Sequence, residues 1–140
     1  MPDVPRLLRP SLAFLCFATA LVGLTAAFAP HAFYDDFPFV THWVNLLPPY
    51  NEHLVTDVGG LYLGFAALFG WAAWTLQPAL VRPLCLAWLV PAVLHLIFHA
   101  THLDNFGTAD AVAEIASLAL LALPAVLALA ALRATDAEPA

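Results

Sequence analysis

Apolar residues run along the chain in four long blocks, broken by short clusters of proline, glycine and charged residues. Each block is long enough to cross about 30 Å of hydrocarbon at about 1.5 Å per residue. The pattern places spans at roughly 11–29, 54–76, 84–103 and 110–132. Pro30 closes the first and Gln77-Pro78 the second, while Asp104-Asn105-Phe106-Gly107 closes the third and Arg133 the fourth. Pro91 and Pro124 fall inside spans, where neighbouring helices can satisfy the backbone groups that a kink frees. The predicted fold is all-α: one polytopic membrane domain over 1–140, an antiparallel four-helix transmembrane bundle.

Composition agrees with the pattern. At 63% hydrophobic and 10% charged, a chain of 140 residues has too little polar surface to cover itself in water. It lacks lysine and any basic run, which excludes a nucleic-acid partner. Cys16 and Cys85 lie far apart in apolar blocks, form no CxxC, and read as small buried residues.

Charge then orients the spans. Arg6, Arg9, Arg82 and Arg133 all fall at one end of the map. The positive-inside rule puts that end, both termini and the 77–83 loop in the cytoplasm, and the lack of lysine with abundant alanine, leucine and proline suggests a bacterium, hence its cytoplasmic membrane. The other end collects Asp35, Asp36, Glu52, Asp57, Asp104, Asp110 and Glu114, together with all six histidines. A rival reading takes Arg6, Arg9 and the run ending Ala27-Phe28-Ala29 as a signal peptide. That run is longer than the usual apolar core of a leader, and Pro30 directly follows the would-be cleavage site, so an uncleaved span is expected.

The candidate chemistry lies just below the histidine-rich end. The second span carries His53, Asp57, Gly60 and Gly64 on one helical stripe. Gly60-xxx-Gly64 is a small-xxx-small pair of the kind that lets helices approach closely, so Asp57 is expected on a buried face. The third span carries His95, His99 and His102 on one face, and the fourth carries Asp110, Glu114 and Ser117. Asp57, His99 and Glu114 each fall about four residues, or ~6 Å, below the ends of their helices, and are expected to meet in one layer. His95 lies a turn deeper, and His53, His102, Asp104 and Asp110 a turn nearer water.

Ionisable groups at such depth turn inward and pair. As ligands, His53, Asp57, His95, His99, His102 and Glu114 suit a divalent metal: zinc, iron, manganese or copper. As acids and bases, Asp57, Glu114 and His99 suit proton transfer to a lipophilic substrate such as an isoprenoid or quinone. A b-type haem held by His53 with His95 or His99 is a third option, to which no spacing points. The structural alternative is a polar layer that fixes helix packing in a non-catalytic subunit.

The connection 30–53, PHAFYDDFPFVTHWVNLLPPYNEH, is rich in aromatics suited to the headgroup region, with a turn of interfacial helix expected around Val40–Leu47. It reads either as an anchor or as a lid over the polar layer.

VTDVGGLYLGFAALF in the second span, the link LQPALVRPLC, the turn with Gly107 and AEIASLALL opening the fourth span resemble small four-helix bacterial membrane proteins of the DoxX-like group, which includes related domains of unknown function. Glu114 matches that group's acid near the start of the fourth span. The resemblance implies the four-helix fold and an oxidoreductase-associated setting with a membrane redox partner, since one member passes thiosulfate electrons to quinone. The histidine cluster and the aromatic connection lie outside the shared pattern.

Overall fold

The computed structural model describes residues 6–39 and 41–137. Four long helices carry the architecture: α1 (Leu8–Phe28), α3 (Glu52–Thr75), α4 (Pro78–Ala100) and α5 (Thr108–Ala137). A short helix, α2 (Pro30–Asp36), follows α1 directly. All four long helices are long and apolar enough to span a bilayer, and no strand occurs among the described residues. The protein is an integral, multi-pass membrane protein built as a helical bundle.

The helix boundaries follow local chemistry. Asn51 caps α3, its side-chain oxygen accepting from Leu54 N at 3.1 Å. Pro78 opens α4 at a first-turn position, where its missing N–H costs nothing. The helix therefore begins at Pro78 and not near residue 84, and carries Arg82 and Pro83 within it. The expected 77–83 loop shrinks to Leu76 and Gln77, with Leu76 in the left-handed region at φ 51°. Likewise α1 starts at Leu8, and Pro10 sits in its first turn, where helical N–H groups have no intrahelical acceptor. In the long connection the helical turn falls at Pro30–Asp36, with only a 3-10 turn over Val44–Leu46. Of the stretch expected to be helical, Val40 lies outside the described residues.

Helix α1 packs most extensively on α3 and also meets α5, α4 packs on α5, and, of the long helices that touch, α3 and α4 meet least. The α1–α3 contact is made by Gly23 and Gly59. A Cβ on Gly59 would fall 2.8 Å from Ala26 C and Ala27 Cα. Gly60 and Gly64 face open space, with nothing within 4 Å of a Cβ at either. The expectation that Gly60-xxx-Gly64 marks the packed face is thus corrected by one residue, or about 100° of helix.

The buried core gathers toward the arginine end: Leu8, Leu12 and Leu15 of α1, Phe69 and Ala72 of α3, Val81, Leu84, Cys85 and Trp88 of α4, and Ala125, Ala128 and Leu132 of α5. Trp88 is its centre, in edge contact with Tyr62, Phe65 and Phe69. Its Nε1 donates to Leu121 O at 3.0 Å. Pro124 cannot donate to the Leu120 carbonyl four residues before it, and the indole bonds the adjacent carbonyl. Thr19 on α1 meets the same demand by donating to Leu15 O at 2.6 Å. Cys85 is buried and Cys16 half-buried, both as free thiols.

Candidate functional site

The histidine end is built differently. Helices α4 and α5 are antiparallel neighbours joined by residues 101–107, so positions a similar distance from that link face each other at similar depth. His99, next to the end of α4, and Glu114, in the second turn of α5, meet there. His99 Nδ1 lies 2.6 Å from Glu114 Oε1, with side chains only 12% and 4% exposed. The approach is short without being a straight N–H···O bond, and the other carboxylate oxygen, Glu114 Oε2, is buried with no partner. A buried polar atom left unpaired costs about 1–3 kcal/mol, more for a charged group. The His95 ring lies against His99, with centroids 4.4 Å apart, and is itself exposed.

The other residues expected at the site lie elsewhere. Asp57 is 57% exposed and pairs with His53 on its own helix at 3.3 Å. The three-helix layer is therefore corrected to a two-helix pair. Asp57 has the right depth, but α3 presents Gly59 to α1 and turns Asp57 outward. His102 folds back on the end of α4: it stacks on Phe98 with centroids 4.1 Å apart, and its Nδ1 lies 2.8 Å from Phe98 O. There it caps a helix terminus, beside an open cavity of about 330 Å³ between the connection and α4. Among the described residues, no three or more of the His, Cys, Asp and Glu side chains are grouped so as to hold a metal ion. The set of His53, Asp57, His95, His99, His102 and Glu114 thus does not converge.

Contacts without a local sequence signal close the connection over this end. Trp43 Nε1 donates to Asp110 Oδ1 at 3.1 Å, across 67 positions. Asn105 Nδ2 donates to Leu46 O at 2.7 Å. His31 pairs with Glu52 and His42 with Asp36, each at 3.5 Å and each largely exposed. Exposed pairs of this kind contribute about 0–1 kcal/mol. Tyr50 packs against His31 and Tyr34. Burial of its hydroxyl, then the carboxylates of Glu52 and Asp35, raise its pKa above the ordinary tyrosine value.

Chemically, a carboxylate touching one nitrogen of an imidazole fixes the ring and stabilises its charged form, while leaving the other ring nitrogen to exchange a proton. Compared with known proteins, the chain matches no family model, no curated protein and no solved structure.

Proposed function

We propose that this membrane protein exchanges protons with a lipophilic substrate, such as an isoprenoid or quinone, at the His99–Glu114 pair. The carrying observation is the 2.6 Å contact between two ionisable side chains from different helices, Glu114 buried and His99 only 12% exposed. Such groups are costly in a bilayer and are retained there chiefly for function. With the carboxylate ionised and the imidazole neutral, the pair is a base. A proton taken at His99 Nε2 gives an imidazolium held by Glu114, and return of that proton restores the starting state. The arginines at the opposite end support an orientation with the pair near the outer face of the membrane. A metal centre finds less support, since the side chains that would ligate it do not converge.

Infrared titration of lipid-reconstituted protein tests the reading. One carboxyl should titrate apart from the exposed acids, disappear in Glu114→Gln, and move its midpoint in His99→Ala. If no carboxyl separates, yet both variants unfold more readily, the pair is a clamp between α4 and α5 and the proposal fails.

A further inference from the structure

The open cavity of about 330 Å³ beside the end of α4 has walls from three segments: Leu47 and Pro48 of the connection, Phe98 of α4, and His102, Asp104 and Asn105 of the link. Two of its polar side chains are fixed by bonds to backbone carbonyls. Asn105 Nδ2 donates to Leu46 O at 2.7 Å, which ties the link to the connection and leaves Oδ1 as an acceptor. His102 Nδ1 lies 2.8 Å from Phe98 O. A carbonyl can only accept, so Nδ1 carries the hydrogen, and Nε2 of the neutral ring is left as an acceptor. The Asp104 carboxylate makes no hydrogen bond or ion pair among the described residues. The cavity is thus lined by an imidazole nitrogen, an amide oxygen and a carboxylate, beside an apolar wall of Leu47, Pro48 and Phe98. No side-chain cation of the chain answers these acceptors, since it lacks lysine and all four arginines fall at the opposite end. Asp35, Asp36 and Asp110 gather at the same end, and their field draws cations toward it. A bare ion would fill little of the volume, which lies at the small end of the range for organic ligands, about 300–1,000 Å³.

We propose that this cavity binds a primary ammonium carried on an apolar body. The ammonium donates to the Asp104 carboxylate, with His102 Nε2 and Asn105 Oδ1 as its further acceptors, and the apolar body lies on Leu47, Pro48 and Phe98. Its charge offsets the carboxylate, and its three N–H groups suit a lining of acceptors. A divalent ion would use the acceptors and leave the apolar wall bare. The cavity lies beyond the last turn of α4, where the ends of the spans meet water. Two sources share the chemistry there: the head of an ethanolamine phospholipid and a free amphiphilic amine. The site is separate from the His99–Glu114 pair and does not depend on the reading given to it.

The test is NMR of isotope-labelled histidine rings in the full chain, held in phosphatidylcholine nanodiscs with EDTA. The pH is set at about 8, where an ordinary imidazole is neutral and an alkylammonium is charged. The His102 signal is identified by its loss in His102→Gln. Hexylamine should shift it saturably and leave the His53 signal in place. Hexanol, which lacks the charge, and hexyltrimethylammonium, which lacks the N–H groups, should each bind about fivefold or more weakly. Asp104→Asn, at an exposed position that folding tolerates, should weaken hexylamine by about fivefold, the upper range for an exposed ion pair. Phosphatidylethanolamine added to the nanodisc reproduces the shift if the lipid head is the source, and leaves the signal to hexylamine alone if a free amine is. Equal binding of hexylamine and either control, unchanged binding in Asp104→Asn, or no shift from any amine overturns the proposal.

Discussion

Gly59→Ala against Gly60→Ala is the sharpest test of how the bundle is assembled. A methyl on Gly59 would lie 2.8 Å from Ala26 C and Ala27 Cα and closer still to Ala27 N, all backbone atoms of α1. Ordinary contact begins near 3.4 Å, so the helices must part by ~0.6–1 Å, because backbone atoms cannot rotate away as a side chain can. Gly23, with Leu63 N at 2.9 Å and Gly59 O at 3.1 Å from its own would-be Cβ, loses its close backbone packing in the same movement. Overpacking of this kind costs about 1–3 kcal/mol, and the upper end applies at the most extensive helix interface. Replacing a helical glycine by alanine returns about 1 kcal/mol of propensity, leaving a net loss of about 2 kcal/mol. At Gly60 and Gly64 only the propensity gain remains, because nothing lies within 4 Å. The difference of about 3 kcal/mol is roughly a hundredfold in the folding constant. Reversible unfolding by dodecyl sulfate in mixed micelles, followed by tryptophan fluorescence, measures it. A Gly59→Ala variant within ~0.5 kcal/mol of wild type, or a Gly60→Ala variant less stable than Gly59→Ala, would refute the packing described above.

Three further outcomes follow from the contacts. Trp88→Phe leaves Leu121 O without its indole donor and opens a void among Tyr62, Phe65 and Phe69, so the same assay should show a loss of about 2–4 kcal/mol. Trp43→Phe removes the link to Asp110 at the partly exposed connection. It should speed amide exchange around residues 43–47 while lowering global stability by no more than ~1 kcal/mol. Tyr50, read as the difference in tyrosinate absorbance between wild type and Tyr50→Phe, should ionise above the ordinary tyrosine range, and Glu52→Gln should bring it down. A raised folded-state pKa favours the neutral phenol in the fold. Its contribution to stability is therefore complete below the unfolded value near pH ~10 and is lost as pH rises through the folded value.

The four spans were legible because lipid demands long, uninterrupted apolar helices, and hydropathy reports that demand directly. The start of α4 was not, since Pro83 and Arg82 look like loop residues, and only the placement of Pro78 in a helical first turn reveals otherwise. The depths of His99 and Glu114 were also legible: two antiparallel helices joined by a short link hold residues near that link at matching levels. Azimuth was not. In water, the inward face of a helix is its apolar face, but in lipid α3 is apolar nearly all round, so adjacent glycines give no sign of which one meets α1. Choosing Gly60 over Gly59 rotated Asp57 inward on paper, whereas the contact at Gly59 turns it out. The docking of Trp43 on Asp110 and of Asn105 on Leu46 was illegible for another reason. Each joins segments far apart in sequence and leaves no periodic trace.

The two ends of the bundle differ in how fully their side chains are satisfied, and the difference is physical. At the arginine end, large side chains from all four long helices fill one core around Trp88, with its single polar atom bonded. At the histidine end the same helices leave a core-facing imidazole uncovered, a buried carboxylate half satisfied, and a connection tied down by a few polar bonds. Each of these is a local deficit that further apolar packing would remove. Leucine at 99 and 114 would suit a purely structural bundle better, since replacing a buried ion pair by apolar residues is often neutral or stabilising. His95, His99 and Glu114 adjoin one another at this end. Packing alone gives no reason for that coincidence, and the proton site proposed for His99–Glu114 does.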